Sequence, residues 1–355
     1  MRLSANGPFR SILCFVVFIS LSFFKMSAQI FPAFTAPSSQ QNSIQMDAGV
    51  SAAQAPNGEY QTALVSVYSS NGVLNYSVAS AGLNSNYSSP VGGNSPNVNC
   101  NSAYPGLCSA AIAVYNGNIY VAYPDQETGG LDVLEGTVLA GEAGYSFQLV
   151  HQDTSVYLTT TPSMVVFNGQ LIIIFGATRP FKNAFYSVNY TAGGTWPTAT
   201  DANLGGSTNE ISSGVKPGLA VLNAGSESQT LWMTSQQNNQ YHYLYVYYST
   251  DGIHWAPNTA VGTGGKSPTY AIGGGISMVT IDDELVLANQ QDASPYGLIV
   301  LSSPDGTNWS IRNYPTSGED LYLGNAPALA LFNDDVALQY RSNTSAYMEA
   351  NLVIQ

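Results

Sequence analysis

The strongest constraint on the fold is a phrase of residues that recurs along the chain. Each copy has a small residue or proline, an alternating apolar segment, a short turn of Asn, Asp or Gly type, and a second apolar segment. Such alternation predicts half-buried strands, and a short turn of this type between two of them predicts a hairpin. Clear copies cover residues 109–123, 162–175, 217–233, 276–288 and 327–340, and a weaker copy covers 50–68.

Successive turns are about 50 to 60 residues apart, the length of a four-stranded propeller blade. Only 9% of the residues are charged, while Tyr, Val, Ser, Thr, Asn and Gly are abundant, as sheets and tight turns favour. We predict an all-β fold in which residues 29–355 form a single six-bladed β-propeller of four-stranded antiparallel blades. The last copy ends after its third strand, so residues 31–46 are predicted to supply a fourth and close the ring. A pair of β-sandwiches is the alternative, but that fold would not explain six copies of one residue pattern.

Residues 1–28 have the features of a cleavable signal peptide. Arg2 and Arg10 precede the apolar run 11–24, and the small residues Ser27 and Ala28 offer a cleavage point. The run is about fourteen residues long, shorter than the roughly twenty that span a bilayer, so a signal anchor is the weaker alternative. We predict a secreted or extracytoplasmic mature chain without a membrane span.

Charge and cysteine content restrict the partners. The formal net charge is −13, and removing residues 1–28 also removes three of the nine basic residues. Such a surface repels phosphate backbones and anionic lipid, so neither nucleic acid nor a membrane surface is expected as a partner. We expect a monomer, and we predict a disulfide between Cys100 and Cys108 in the oxidising compartment. The three histidines form no paired metal-binding motif, so no metal or other cofactor is expected.

Two copies of the phrase Ser-x-Asp-Gly-x-x-Trp are predicted at turns between third and fourth strands. Glycine accepts the positive φ of such a turn, and the aspartate carboxylate accepts its backbone amides. The phrase resembles the Asp-box of the sialidase (neuraminidase) superfamily, with one residue fewer between Asp and Trp, and residues 68–76 and 190–196 resemble eroded copies. The matching residues are Ser249, Asp251, Gly252 and Trp255 in one copy and Ser303, Asp305, Gly306 and Trp309 in the other.

The resemblance implies a six-bladed propeller whose Asp-box turns lie on the face opposite the active site. Asp251 and Asp305 are therefore interpreted as structural, and a functional site is expected on the other face. Loops that follow the second strands there are rich in amides, Tyr, Asp and Arg, which suit the hydroxyls and apolar faces of a sugar, although soluble loops can have the same composition. The predicted ligand-binding residues are Asp125, Arg179, Gln236, Gln237, Gln290, Gln291, Asp292, Tyr340 and Arg341.

No residue pattern identifies catalytic residues, which stay unassigned. By resemblance, a sialidase would need three arginines, a Tyr-Glu nucleophile pair and an aspartic acid. The mature chain has only Arg179, Arg312 and Arg341, and Arg312 is predicted near the Asp-box face. Other glycosidases need two carboxylates about 5 to 10 Å apart. Candidates in the predicted loops are Asp125, Glu127, Asp153, Glu210, Asp292, Glu319 and Asp320.

These features rank three functions. The first is a propeller that binds a carbohydrate or another small polar ligand without catalysis. The second is an exo-acting glycoside hydrolase that uses carboxylates of the same face. The third is a surface protein-interaction propeller, since one fold can carry any of these sites.

Overall fold

The backbone consists of strands joined by turns and loops. A computed structural model describes residues 47, 49–57, 61–79, 87–91, 97–98, 108–178, 184–202, 204, 215–226, 228–236, 241–258, 266–271, 273–290, 297–311, 326–333, 335–341 and 348–353. All of them belong to one compact unit, Pro32–Gln355. No helix occurs among them, so the all-β prediction is confirmed. The predicted signal peptide and the predicted closing segment 31–46 lie outside the described residues.

The described strands form six antiparallel sheets, each made of strands that are consecutive in sequence. Sheet 1 contains β1 (Val50–Asn57), β2 (Gln61–Ser70), β3 (Val73–Ala79) and β4 (Tyr87–Pro90), and sheet 2 contains β5 (Ala111–Tyr115), β6 (Asn118–Pro124), β7 (Leu131–Val138) and β8 (Tyr145–Asp153). Sheet 3 contains β9 (Ser163–Phe167), β10 (Gln170–Ala177), β11 (Ala184–Tyr190) and β12 (Thr200–Asp201). Sheet 4 contains β13 (Gly218–Leu222), β14 (Thr230–Gln236), β15 (Tyr243–Ser249), β16 (Ala256–Pro257) and β17 (Lys266–Ala271). Sheet 5 contains β18 (Ser277–Ile281), β19 (Glu284–Gln290), β20 (Leu298–Ser303) and β21 (Ser310–Ile311), and sheet 6 contains β22 (Ala328–Phe332), β23 (Asp335–Arg341) and β24 (Met348–Val353).

Two sheets depart from the predicted four strands. Sheet 6 has three strands among the described residues, and in sheet 4 both β16 and β17 pair with β15. Within the described residues 254–258, the fourth strand is only Ala256–Pro257. Pairing of β16 ends at Pro257, which has no amide hydrogen to donate to a ladder.

The turns between first and second strands have the predicted backbone chemistry. Asn116 and Gly117 have φ values of 49° and 82°, and Asn168 and Gly169 have 49° and 71°, which suits two-residue hairpin turns with positive φ at both positions. The turn in residues 68–76 joins a different pair of strands from the one predicted. Their Asn71–Gly72 turn joins β2 to β3, so it is not a turn between third and fourth strands.

The hydrophobic cores lie between neighbouring sheets. Sheets 2 and 3, for example, enclose a cluster that includes Tyr120, Val133, Ile173 and Tyr186. The first strands contact one another in the order β1, β5, β9, β13, β18 and β22, and β22 also contacts β1. This radial arrangement of antiparallel sheets around a common axis is a β-propeller, as predicted.

The two faces of the propeller differ in which turns they carry. The lower face carries the turns between first and second strands and between third and fourth strands, because alternate connections of an antiparallel meander share an edge. Side-chain contacts join these turns: Asn168 Nδ2 lies 3.4 Å from the carbonyl oxygen of Thr250, and Asn189 Nδ2 lies 3.0 Å from that of Gly252. The upper face carries the other connections, and the first strands surround an axial channel between the two faces.

Candidate ligand-binding site

The aspartates of the two Ser-x-Asp-Gly turns are occupied by their own turns on the lower face. Asp251 Oδ1 accepts the backbone amides of Ile253 and His254, each at 2.8 Å, and Asp305 Oδ1 accepts the equivalent two amides at the same distance. Burial acts to raise the pKa of Asp251, but hydrogen bonds from His254, Ile253 and Ser249 outweigh it and hold the pKa far below its usual value. Both carboxylates therefore act as turn formers in this geometry.

The upper ends of the second strands occupy equivalent positions, as the sequence repeats indicated. Gly218 pairs with Thr234, Ser277 with Ala288 and Ala328 with Gln339. Two residues beyond these partners lie Gln236, Gln290 and Arg341, each at the last position of its strand.

The side chains at these strand ends are largely enclosed by the protein. Gln236, Gln290 and Tyr340 are all buried. Arg341 Nη1 donates to the carbonyl oxygen of Asp47 at 2.6 Å, so this guanidinium ties sheet 6 to the segment before β1. Asp125 Oδ2 accepts the amides of the next turn, from Glu127 and Thr128. The other predicted ligand-binding residues, Arg179, Gln237, Gln291 and Asp292, lie outside the described residues.

Two polar atoms next to these ends were not singled out by the sequence analysis. Among the described residues, the buried Ser235 Oγ and Asn289 Oδ1 have no hydrogen-bond partner. Each residue directly precedes a predicted one, and the recurring order of a small polar residue before Gln-Gln was the signal that could have found them. An unpaired buried polar atom costs about 1 to 3 kcal/mol, so each one requires an explanation.

Gln236 and Asn289 face the same space between sheets 4 and 5. Trp232 of β14 and Leu287 of β19 belong to one core cluster between those sheets. Alternate residues of a strand share a face, so Gln236, four residues after Trp232, and Asn289, two residues after Leu287, point into the same gap. We call its upper end, defined by Gln236 and Asn289, the sheet 4–5 gap.

A second polar cluster lies in sheet 2. The Tyr123 hydroxyl donates to Asp132 Oδ2 at 3.2 Å, and Gln152 Nε2 donates to Asp132 Oδ1 at 3.1 Å. Burial raises the pKa of Asp132 to about 6, although these two hydrogen bonds act to lower it. Burial and the neighbouring carboxylate also raise the pKa of Tyr123, so its hydroxyl stays a donor at neutral pH. The arrangement combines a carboxyl group that titrates near neutrality with a phenol, and sequence reasoning missed it.

Replacing Asp132 with asparagine should change how stability depends on pH. Because the folded pKa of about 6 lies above the ordinary 3.8, folding disfavours the charged form. The free energy of unfolding of the wild type is expected to fall as pH rises from about 4 to about 6, and Asp132→Asn should remove about 1 to 2 kcal/mol of that fall. Urea denaturation across this range measures it. Asp283→Asn, in an exposed turn, is the matched control. A wild type that gains more stability than Asp132→Asn over this range would contradict the prediction.

Of the other candidate carboxylates, only those of Asp153 and Glu127 belong to residues that the structure describes. Asp153 accepts hydrogen bonds from the Ser155 amide and hydroxyl and from the Ala199 amide. Burial acts to raise its pKa, but these bonds outweigh it and hold the pKa below its usual value. Glu127 is exposed. Glu210, Asp292, Glu319 and Asp320 lie outside the described residues, as do Arg312 and Cys100, so the predicted disulfide to the buried Cys108 stays a prediction.

The described part of the chain contains neither a cluster of metal-binding side chains nor a membrane-spanning helix. No group of three or more His, Cys, Asp or Glu side chains in it could hold a metal ion. No helix long and apolar enough to cross a membrane occurs in the same residues.

Comparisons with known proteins rest on structure alone. No family model matches the sequence, and no curated protein matches it either. A protein of unknown function from Dyadobacter fermentans is similar with a TM-score of 0.57 and 13% identity, covering 89% of this chain and 96% of that one. Trypanosoma rangeli sialidase in complex with the inhibitor DANA is similar with a TM-score of 0.55 and 12% identity, covering 91% of this chain and 58% of the sialidase. The chain therefore spans little more than half of that enzyme, and what the two share is the fold. The chain is a β-propeller with a fold similar to that of sialidases.

Proposed function

We propose that this protein is an exported, sialidase-like β-propeller that binds a carbohydrate or another small polar ligand at its upper face. The site is centred on the sheet 4–5 gap, and the ligand's hydroxyl groups reach the buried amides there. Gln237, Gln291 and Asp292 follow the same strand ends in sequence, and we keep them among the proposed ligand-binding residues.

The observation that carries this proposal is Asn289 Oδ1. This acceptor is fully buried and unpaired, while the Nδ2 of the same side chain donates to the Gln290 carbonyl oxygen at 2.6 Å. The amide is thus oriented with its oxygen available. A sugar hydroxyl is a suitable partner because it can donate to this oxygen and accept from a neighbouring amide. The similar Trypanosoma rangeli sialidase binds sialic acid, which supports a sugar as the ligand class.

Binding without catalysis is favoured by the state of the described carboxylates. Asp125 and Asp153 accept hydrogen bonds from amides of nearby turns. At Asp153 these bonds hold the pKa below its usual value, whereas a general acid needs a raised one. Asp153 is therefore not suited to protonating a leaving group, and the Asp125 carboxylate is hydrogen-bonded within its own turn.

Glycoside hydrolysis is the second candidate, and Asp132 is the observation that favours it. A carboxyl group with a pKa of about 6 can donate a proton near neutral pH, and the Tyr123 hydroxyl lies 3.2 Å from it. Hydrolysis would also require a second carboxylate on the other side of the scissile bond.

A glycan-array screen of the mature chain, 29–355, tests binding. We expect a small set of glycans to bind the wild type and Asn289→Ala to weaken that binding about tenfold, the value of one to two hydrogen bonds. Its thermal stability should stay close to that of the wild type, because the substitution also removes an unpaired buried oxygen. Gln148→Ala, on an exposed position of β8, is the matched control and should bind as the wild type does.

Two results would count against the proposal. Absence of binding to every glycan would remove the sugar hypothesis, and binding that is equal in wild type and Asn289→Ala would place the site elsewhere. Fluorogenic glycosides are tested in parallel. Turnover that is lost in Asp132→Asn would replace the binding function by the hydrolase.

The same proposal includes features of the whole chain. We propose that each of the six sheets is one blade, that residues 31–46 complete sheet 6, and that residues 1–28 direct export. The mature protein is then a monomer with a disulfide between Cys100 and Cys108. Mass spectrometry of the exported protein, before and after reduction, tests the cleavage site and the disulfide together.

A further inference from the structure

The axial channel encloses a cavity of about 430 Å³ with a polar upper end and an apolar middle. Its walls come from the first strands of all six sheets, and most of them are Ala, Val, Ile, Leu or Met. Four successive residues of β1, Ser51 to Gln54, follow its length, which corresponds to about 10 Å at the rise of a strand. The polar lining residues lie at the two ends: Ser51, Ser163, Lys216 and Ser277 at the upper end, and Gln54 and Thr280 at the lower end.

The upper end of the channel is narrowed by close packing between sheets. A Cβ on Gly275 would lie 2.5 Å from Ala326 Cβ and 3.1 Å from Lys216 Cβ. The three segments that contain these residues therefore pack so closely that a side chain at position 275 would not fit. Two hydrogen bonds also hold these segments together. Ser109 Oγ donates to the Gly49 carbonyl oxygen at 2.9 Å, and the Ile276 amide donates to the Lys216 carbonyl oxygen at 3.0 Å. A ligand in the cavity therefore enters from the lower face.

Lys216 crosses the channel at its closed end. It precedes β13 of sheet 4, yet its ammonium group donates to Ser51 Oγ at 2.7 Å, in sheet 1 on the far side of the ring. The side chain is only 7% exposed. The hydroxyl of Ser51 satisfies one of the three hydrogens of the ammonium group.

Among the described residues, no carboxylate compensates this buried charge. Lys216 makes no ion pair in the described part of the chain, and it is the only ionisable side chain among the described residues that line the cavity. Burial lowers the pKa of Lys216 to about 8. A buried cation without a partner is costly, and buried charges in proteins are normally paired. An anionic ligand group at this end of the channel would compensate the charge of Lys216.

The lower mouth is apolar and open. Val166 and Leu331 line the cavity and are 37% and 41% exposed, at the ends of β9 and β22 that lead into the lower-face turns. Exposed aliphatic side chains at the entrance to an apolar cavity favour entry of an apolar chain.

We propose that the channel is a binding site for an amphiphilic carboxylate, with the carboxylate on Lys216 and an unbranched aliphatic chain extending towards Val166 and Leu331. This site is on the axis and opens at the lower face, so it is separate from the upper-face carbohydrate site and independent of it. An apolar cavity of this size with one cation at its closed end matches a ligand that has one charge at one end.

Isothermal titration of the full mature chain with sodium octanoate, octanol and octylamine tests the proposal. The three probes share a chain length and differ in the charge of the head group. Octanoate is expected to bind at least about tenfold more tightly than octanol, since a charge-assisted hydrogen bond to a buried partner is involved, and octylamine is expected not to bind. Lys216→Met, which keeps the length of the side chain, should bind octanol at least as tightly as octanoate. Lys266→Met, on β17 away from the inner strands, is the matched control and should keep the wild-type preference.

A variant at the entrance keeps the test independent of the lysine. Val166→Glu places a negative charge at the exposed mouth and should weaken octanoate much more than octanol. Equal binding of octanoate and octanol by the wild type, no binding of either, or a carboxylate preference that survives in Lys216→Met would each overturn the proposal. Glycan binding at the upper face should be unchanged in Lys216→Met, so failure of one proposal is distinguishable from failure of the other.

Discussion

Replacing Gly306 with alanine is expected to lower the free energy of unfolding by about 3 kcal/mol. Gly306 has a φ of 70°, and an added Cβ would lie 2.3 Å from a ring carbon of Trp232. The turn of sheet 5 is thus packed directly against the aromatic side chain of sheet 4. Two costs combine, the backbone strain of a left-handed alanine and the displacement of a buried indole. Urea denaturation followed by tryptophan fluorescence measures the loss.

Gly117→Ala separates these two costs. Gly117 also has a positive φ, 82°, but no atom lies within 4 Å of the added Cβ. It should lose only the backbone contribution, about 1 kcal/mol. Equal losses in the two variants would show that the contact between Gly306 and Trp232 adds nothing. The Asp-Gly turn is therefore predicted to hold neighbouring sheets together as well as to reverse the chain.

Replacing Lys216 with methionine is expected to raise the free energy of unfolding at pH 7 by up to about 3 kcal/mol. The folded pKa of about 8 lies below the ordinary 10.5, so the folded protein disfavours the charged form. This cost is fully present below pH 8 and disappears as pH rises to about 10.5. Methionine fills similar space without a charge, and the loss of the bond to Ser51 offsets part of the gain.

The pH dependence of the difference between the two proteins is the decisive measurement. Tyrosines with a raised folded pKa, such as Tyr123, also make stability depend on alkaline pH, but they are present in both proteins and cancel in the difference. The stability advantage of Lys216→Met should shrink from pH 8 to pH 10.5. A variant that is less stable than the wild type at pH 7 would mean that Lys216 contributes more to folding through packing than its buried charge costs.

The fold was predictable because its signals are local. Alternation along five or six residues defines a strand, and Asn-Gly or Asp-Gly permits positive φ at a turn, so the repeated hairpins and the role of Asp251 could be inferred from short windows. The same reasoning failed where a local signal has two interpretations. Asn71–Gly72 is a good turn, but only pairing of β2 with β3 shows which strands it joins.

The positions of the second-strand ends were predictable from the sequence, but the environment of their side chains was not. Aligning the repeated segments with one another correctly identified Gln236, Gln290 and Arg341 as the ends of their second strands. Which of their atoms are buried depends on how neighbouring sheets pack. That is why Asn289, with its unpaired oxygen, was overlooked beside the more conspicuous glutamines.

By itself, the sequence determined that this protein is made of repeated antiparallel hairpins with structural Asp-Gly turns, because period and turn chemistry are properties of neighbouring residues. Only the tertiary structure decided what lies on the axis. Lys216 and Ser51 are 165 residues apart, and their contact exists only because the ring brings sheets 4 and 1 to opposite sides of one narrow channel. No pattern within either segment encodes that distance, and the buried, uncompensated charge is a consequence of the assembled ring.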